Sequence, residues 1–285
     1  MQSPQSLPAS QVAEGPSVGR HLRALEPNLG GGAGSPPEVA VASERPRTEK
    51  LGRDLSIHTQ RRKWQSRADT WDRHNDVGMS KVASMAVEAA KVRPGADCVD
   101  LGCGGGRLAL ALAREGANVL GVDVSESMIR RMEAQAAEEG LHSVRGMVAP
   151  IEHLELPAAS LDLVVTNYAL HHLLDGEKEK VVRAAAQWLR PGGRLVVVDL
   201  MLGRGAAARD REIIASKVRV MARKGLPGYW RIAKNAFRFL LRIHERPITP
   251  EAWVALFEAA GFTEVESVPV VAEAAIVSGV KPLGG

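Results

Sequence analysis

The sequence predicts an α/β fold: a doubly wound, mostly parallel seven-stranded sheet with a C-terminal antiparallel hairpin and a helical insertion before the last helix. Three observations carry that expectation. Short apolar runs alternate with amphipathic stretches from residue 97 to residue 200. The first apolar run leads into a bare glycine turn, "CVDLGCGGGR", at 98–107. The chain closes with "FTEVESVPVVAEAAIVSGV", two strands of eight to ten residues with a short connection.

Taken in order, strands are expected at 97–101, 118–123, about 144–148, 161–167 and 194–200. Helical patterns lie between them at 105–116, 126–139 and 177–190, the last stopped by Pro191-Gly192-Gly193. Asp175 and Glu177 suit the start of that last helix, because carboxylates favour the positive end of the helix dipole. Upstream, "MSKVASMAVEAAKV" is an apolar-periodic helix ended by Pro94-Gly95, and a polar helical stretch over 55–75 precedes it. Downstream, "TPEAWVALFEAAG" has a threonine cap, proline in its first turn and glycine at its end. Residues 1–47 are rich in Pro, Gly, Ser and Ala without an apolar period, so they are expected to form a disordered tail.

Composition sets broad limits. A chain of 285 residues with 45% hydrophobic and 25% charged residues is ordinary for a soluble globular protein. No apolar run approaches the ~20 residues that span a bilayer. The N-terminus lacks a basic start followed by an apolar core, so no secretory signal is expected and a cytoplasmic setting fits. Cys98 and Cys103 are too few for a disulfide framework, and no Cys/His cluster has metal-ligand spacing. The net charge of +4 conceals a block: 204–242 holds eleven Lys/Arg against Asp210 and Glu212, a balance of +9, leaving about −5 elsewhere.

The glycine turn needs a ligand to explain it. In an open parallel sheet ligands sit beyond the carboxyl ends of the strands, where strand order reverses. A turn without side chains lets the backbone approach a ligand and opens a helix N-terminus. Glycines stand at 102, 104, 105 and 106, and Arg107 occupies the position where the dinucleotide fingerprint would need another. Asp123 ends the second strand, placed to accept hydrogen bonds from both hydroxyls of a ribose. Asp100 ends the first strand and points a second carboxylate toward the turn.

With "VDLGCGGG", "GVDVS", "LDLVVTNYALHHL" and "LRPGGRLVVVD" in order, roughly residues 70–281 resemble the class I S-adenosylmethionine-dependent methyltransferases, in their small-molecule branch. The resemblance implies S-adenosyl-L-methionine as cofactor and a Rossmann-like core over 94–200, with helices over 48–93 covering the site. It implies that Gly102, Gly104 and Gly106 lie against the amino-acid part of the cofactor and that Asp123, with Val124 beside it, binds the ribose. Met128 would pack on the adenine, and Asn167 would face the methyl group and substrate. Many relatives carry an acid twelve positions before the residue matching Asp162; here that position is Pro150, so adenine recognition falls to the backbone around Ile151 or to Glu152.

Methyl transfer to a weak nucleophile needs a base. His171 and His172, after the fourth strand, are candidates because imidazole titrates near neutrality, and His74, in "ADTWDRHNDVG", is a third on the covering helix. The resemblance makes 201–247 a basic lid over the acceptor pocket and 248–285 the last helix and hairpin of the core. In that lid Arg231, Lys234, Arg238 and Arg242 share one helical face, and Ile213, Ile214, Val218 and Met221 lie opposite Arg211, Arg219 and Arg223. Three readings of the cations stand: they are solvated, or 209–243 makes peripheral membrane contact, or the patch meets RNA, which ranks last for want of an RNA-binding module. The expected acceptor is a small, lipophilic or aromatic molecule. An RNA or protein acceptor docked on the basic lid, and a cofactor-binding relative without catalysis, are the alternatives.

Overall fold

The structure is a computed structural model that describes residues 76–203, 208–222, 246–271 and 273–284. The expected tail at 1–47, the polar helical stretch at 55–75 with His74, and most of the basic face at 223–245 lie outside the described residues.

In chain order the elements are α1 (Asp76–Ala90), β1 (Asp97–Leu101), α2 (Arg107–Arg114), β2 (Asn118–Asp123), α3 (Glu126–Glu138) and β3 (Val144–Val148). They continue with β4 (Leu161–Asn167), α4 (Asp175–Trp188), β5 (Leu189–Leu200), α5 (Ala208–Ala222), α6 (Pro250–Ala259), β6 (Thr263–Val271) and β7 (Ala274–Val280). Single 3-10 turns follow β3 at Ile151–His153 and β4 at Leu170–His172. The seven strands form one sheet in the order β3-β2-β1-β4-β5-β7-β6. Strands β1 to β5 pair in parallel, and β7 runs antiparallel to both β5 and β6. The sheet thus has the class I methyltransferase architecture, with strand order reversing between β1 and β4.

Every residue of β1 is buried, as are all but the first residue of β2, which is why these strands read as continuous apolar runs rather than alternating ones. Helices α1, α2 and α3 contribute Val82, Ala86, Leu108, Leu112, Ile129 and Met132 to the core on that sheet. At the start of the strands Arg190 ties three together: Nη1 donates to Asp162 (2.7 Å) and Nη2 to Asp97 (3.0 Å). At the other end Thr166 Oγ1 donates to the Leu101 carbonyl (2.8 Å), locking β4 to β1 beside the reversal.

Three boundaries differ from those the sequence predicts. α2 spans Arg107–Arg114 rather than 105–116, because Gly106 is left-handed (φ 89°) at its start and Gly116 (φ 88°) follows its end. α4 runs over 175–188 rather than 177–190 and starts at Asp175 itself. β5 begins at Leu189, not 194, since Leu189 already pairs with Leu161. The Pro191-Gly192-Gly193 segment is an irregularity inside the strand, where proline cannot donate to the ladder and pairing resumes at Arg194. On α5, Ile213 is buried as expected, but Val218 is 40% exposed beside exposed Arg219, so the predicted apolar face does not include it.

Candidate functional site

A cavity of about 1080 Å³ opens at the carboxyl ends of β1, β2 and β4, flanked by α1. That size lies at the upper end of the roughly 300–1,000 Å³ usual for small-molecule sites. Its floor is the glycine turn after β1, which the sheet holds rigidly: the Gly102 and Cys103 amides donate to the Val122 carbonyl at 2.7 and 3.0 Å. Gly102, Gly104 and Gly105 line the cavity. Gly104 is left-handed (φ 53°) and a methyl group there would meet nothing within 4 Å, so its bare face looks onto open space. Gly106 has a different task. A Cβ on it would stand 2.3 Å from Met132 Cγ, so this glycine lets α2 close on α3 and does not line the cavity.

Asp123 lies at the wall. Its Oδ2 accepts from the Gly104 amide (3.0 Å) and its Oδ1 from the Ser125 amide (2.8 Å). Those bonds aim both oxygens and leave each with further lone pairs. Burial pushes its carboxyl above the usual range, opposed by the Ser125, Gly104 and Val124 amides. Val124, Met128, Pro150, Ile151 and Glu152 continue the same wall, so the segment after β3 sits at the cavity with its acid two residues beyond Pro150. Asn167, at the end of β4, lines the cavity with its Oδ1 buried and unpartnered. A buried acceptor without a donor is uncommon and marks a place where a ligand can complete the bonding.

Asp100 does not line the cavity; it lies 1% exposed beneath the turn. No donor meets either carboxylate oxygen in hydrogen-bond geometry. Burial pushes its acidity to about 7; the nearby Ala109 amide opposes part of that and the Asp123 charge adds to it.

The two histidines occupy the 3-10 turn after β4, both nearly buried. His172 lines the cavity. His171 does not: its Nδ1 lies 2.5 Å from Oδ1 of Asp199, near the end of β5, and its carbonyl accepts from the Arg246 amide (2.6 Å). Expected as one of two equivalent candidates, His171 is turned away into the interior.

Two residues at this edge had not been singled out. Tyr168 lines the cavity in the left-handed region (φ 54°), rare for an aromatic residue, and its amide is held by the Val198 carbonyl (2.8 Å). Burial, with the charges of Glu273 and Asp199, pushes its phenol to about 12, so it is a donor at neutral pH. Asp199 is fully buried. The available signal was the pattern "LVVVD", an acid ending an apolar strand at the edge where Asp123 and Asn167 also stand. Among the described residues no group of three His, Cys, Asp or Glu could hold a metal ion.

Residues 98–193 match the model of a methyltransferase domain. The chain is 32% identical over 115 residues to an uncharacterized methyltransferase, YcgJ, of Bacillus subtilis, covering 40% of this chain and 45% of that one. It is 27% identical over 207 residues to a ubiquinone biosynthesis O-methyltransferase of Acinetobacter baumannii, covering 66% and 86%. It therefore spans about half the length of the uncharacterized curated relatives it matches. Among solved structures, the magnesium protoporphyrin IX methyltransferase of Synechocystis, with bound S-adenosylhomocysteine, superposes with a TM-score of 0.56 at 19% identity, over 79% of this chain and 99% of that one.

Proposed function

We propose that this chain, a member of the class I S-adenosylmethionine-dependent methyltransferase family, moves a methyl group from S-adenosyl-L-methionine to a small lipophilic or aromatic acceptor. The observation that carries the reading is the pairing of Asp123 with the Gly104 amide at the floor of one cavity that also holds the unpartnered Asn167 oxygen. The residues present fit this cofactor. Asp123 offers aimed carboxylate oxygens to a ribose, the open face of Gly104 admits the amino-acid chain, and Met128 and Ile151 offer apolar contact to the adenine. Asn167 supplies a carbonyl oxygen without a donor. Asp100 lies beneath the turn and does not line the cavity, so no contact with the cofactor is assigned to it.

When bound, the cofactor supplies a methyl group on a sulfonium sulfur, which leaves with the carbon–sulfur electron pair. The chain holds acceptor and donor in line, worth several orders of magnitude in rate, and takes the acceptor's proton. His172 is the cavity-lining histidine and is assigned that proton; Tyr168, beside it, orients the acceptor by donating from its phenol. Met79, Ala83, Val87 and Leu173 give part of the cavity an apolar wall on which a lipophilic acceptor could pack. A ubiquinone biosynthesis O-methyltransferase among the relatives points the same way. No helix of the described residues is long and apolar enough to cross a membrane.

The test uses S-adenosylmethionine carrying a radiolabelled methyl group, incubated with the enzyme and crude cell extract, then partitioned. Label in the organic phase is expected. Label in the RNA or protein fraction would replace the acceptor class, and no transfer to any fraction despite cofactor binding would leave a non-catalytic binding protein.

A further inference from the structure

We propose that Asp199 is a positioning residue for methyl transfer, holding the His171 ring as the platform on which the cavity-facing His172 is set. The inference rests on the methyltransferase reading for its purpose, but not for its geometry. Asp199 is 0% exposed, and its Oδ1 receives both the Leu200 amide (2.8 Å) and His171 Nδ1. Its Oδ2 is buried with no partner. A buried carboxylate with one oxygen unpaired costs stability that an apolar side chain of similar size would not, so packing alone does not account for it. What it does achieve is orientation. The carboxylate can only accept, so the neutral His171 ring must carry its proton on Nδ1, which fixes both tautomer and ring plane.

The fixed ring bears directly on His172. The two imidazole centroids are 4.0 Å apart, tilted by 47°, inside a 3-10 turn whose first histidine is also anchored through its carbonyl by the Arg246 amide. His172 therefore has a rigid neighbour on its inner side and the cavity on its outer side. Asp199, near the end of β5, contacts His171 directly, while Tyr168, at the end of β4, feels the charges of Asp199 and of Glu273 just before β7. A general base misplaced by about 1 Å loses on the order of a hundredfold in rate, so a buried pair that fixes its ring has a clear use.

Nitrogen-15 NMR of the full chain, labelled in histidine, tests this without an acceptor. In the wild type, neutral His171 is expected as the Nδ1-protonated tautomer. Asp199→Asn, nearly isosteric, is expected to switch neutral His171 toward its Nε2-protonated tautomer, because the Asn amide can donate to Nδ1, and to move the His172 ring signals with it. Asp199→Ala should in addition broaden or double the His172 ring signals. Unchanged His172 shifts in a folded Asp199→Asn protein would overturn the proposal and leave Asp199 a structural partner of His171 alone. Should neither variant fold, the wild-type tautomer decides, since an Nε2-protonated neutral His171 cannot donate to Asp199. S-adenosylhomocysteine binding by the wild type is measured alongside. Its absence would sink the methyltransferase reading and leave the NMR outcome intact; its affinity in Asp199→Asn is expected within about twofold of wild type.

Discussion

Asp123→Ala removes the two aimed carboxylate oxygens at the cavity wall and frees the Gly104 and Ser125 amides they hold. Leaving the ribose hydroxyls without that acceptor should weaken cofactor binding by about 1–3 kcal/mol, read by calorimetry. Asp100 predicts a pH dependence instead. Its folded acidity near 7 stands above the ordinary carboxylate value, so the native state binds its proton more tightly than the unfolded chain. That contribution to stability is complete below about pH 4 and is lost as pH rises through about 7. Asp100→Asn should therefore gain stability over wild type in denaturant melts at about pH 8 and much less at about pH 4.5. An equal difference at both values would contradict a buried, strained carboxylate. At this scale the strand-end acids were legible because a carboxylate after an apolar strand has few other uses. Which of two adjacent histidines meets the cavity was not. Successive residues in a 3-10 turn point about 120° apart, and the phase here follows from left-handed Tyr168 and the reach of Asp199, both set by tertiary contacts.

The strands and helices of the core came through in the sequence almost residue by residue, because fully buried parallel strands leave unmistakable apolar runs bounded by Gly and Pro. The misses sit where glycine or proline serves two purposes. Pro191-Gly192-Gly193 ends a helix and also bulges within a strand that has already begun. Gly106 looked like part of the ligand cradle but is the contact that seats α2 on α3. Gly106→Ala should thus destabilise the fold by at least about 2 kcal/mol, through strain at φ 89° and overlap with Met132, and lower Tm by several degrees. Gly104→Ala, facing open space, should cost less stability and more cofactor affinity. Equal thermal losses in the two variants would erase the distinction.

Across the whole sheet, the Arg190 ion-pair clamp and the ligand-facing groups lie at opposite ends of the strands. Arg190 clamps Asp97 and Asp162 where the strands begin, while Asp123, Asn167, Tyr168 and His172 gather where they end. Arg190→Ala should cost about 1–2 kcal/mol of stability by urea unfolding, allowing for its partial exposure, and leave cofactor affinity unchanged. This division follows from parallel strands, whose carboxyl ends all face one crevice. The acceptor's identity was not legible in the sequence for the same reason that makes the cofactor legible: cradle residues answer to one fixed ligand, whereas cavity walls and the basic 209–243 stretch answer only to bulk polarity and charge. The most direct test of the account is calorimetric titration of S-adenosylhomocysteine into the wild type and Asp123→Ala. Saturable one-to-one binding, weakened about tenfold or more by the substitution, is the predicted result; no binding, or equal affinity in a folded variant, would contradict it.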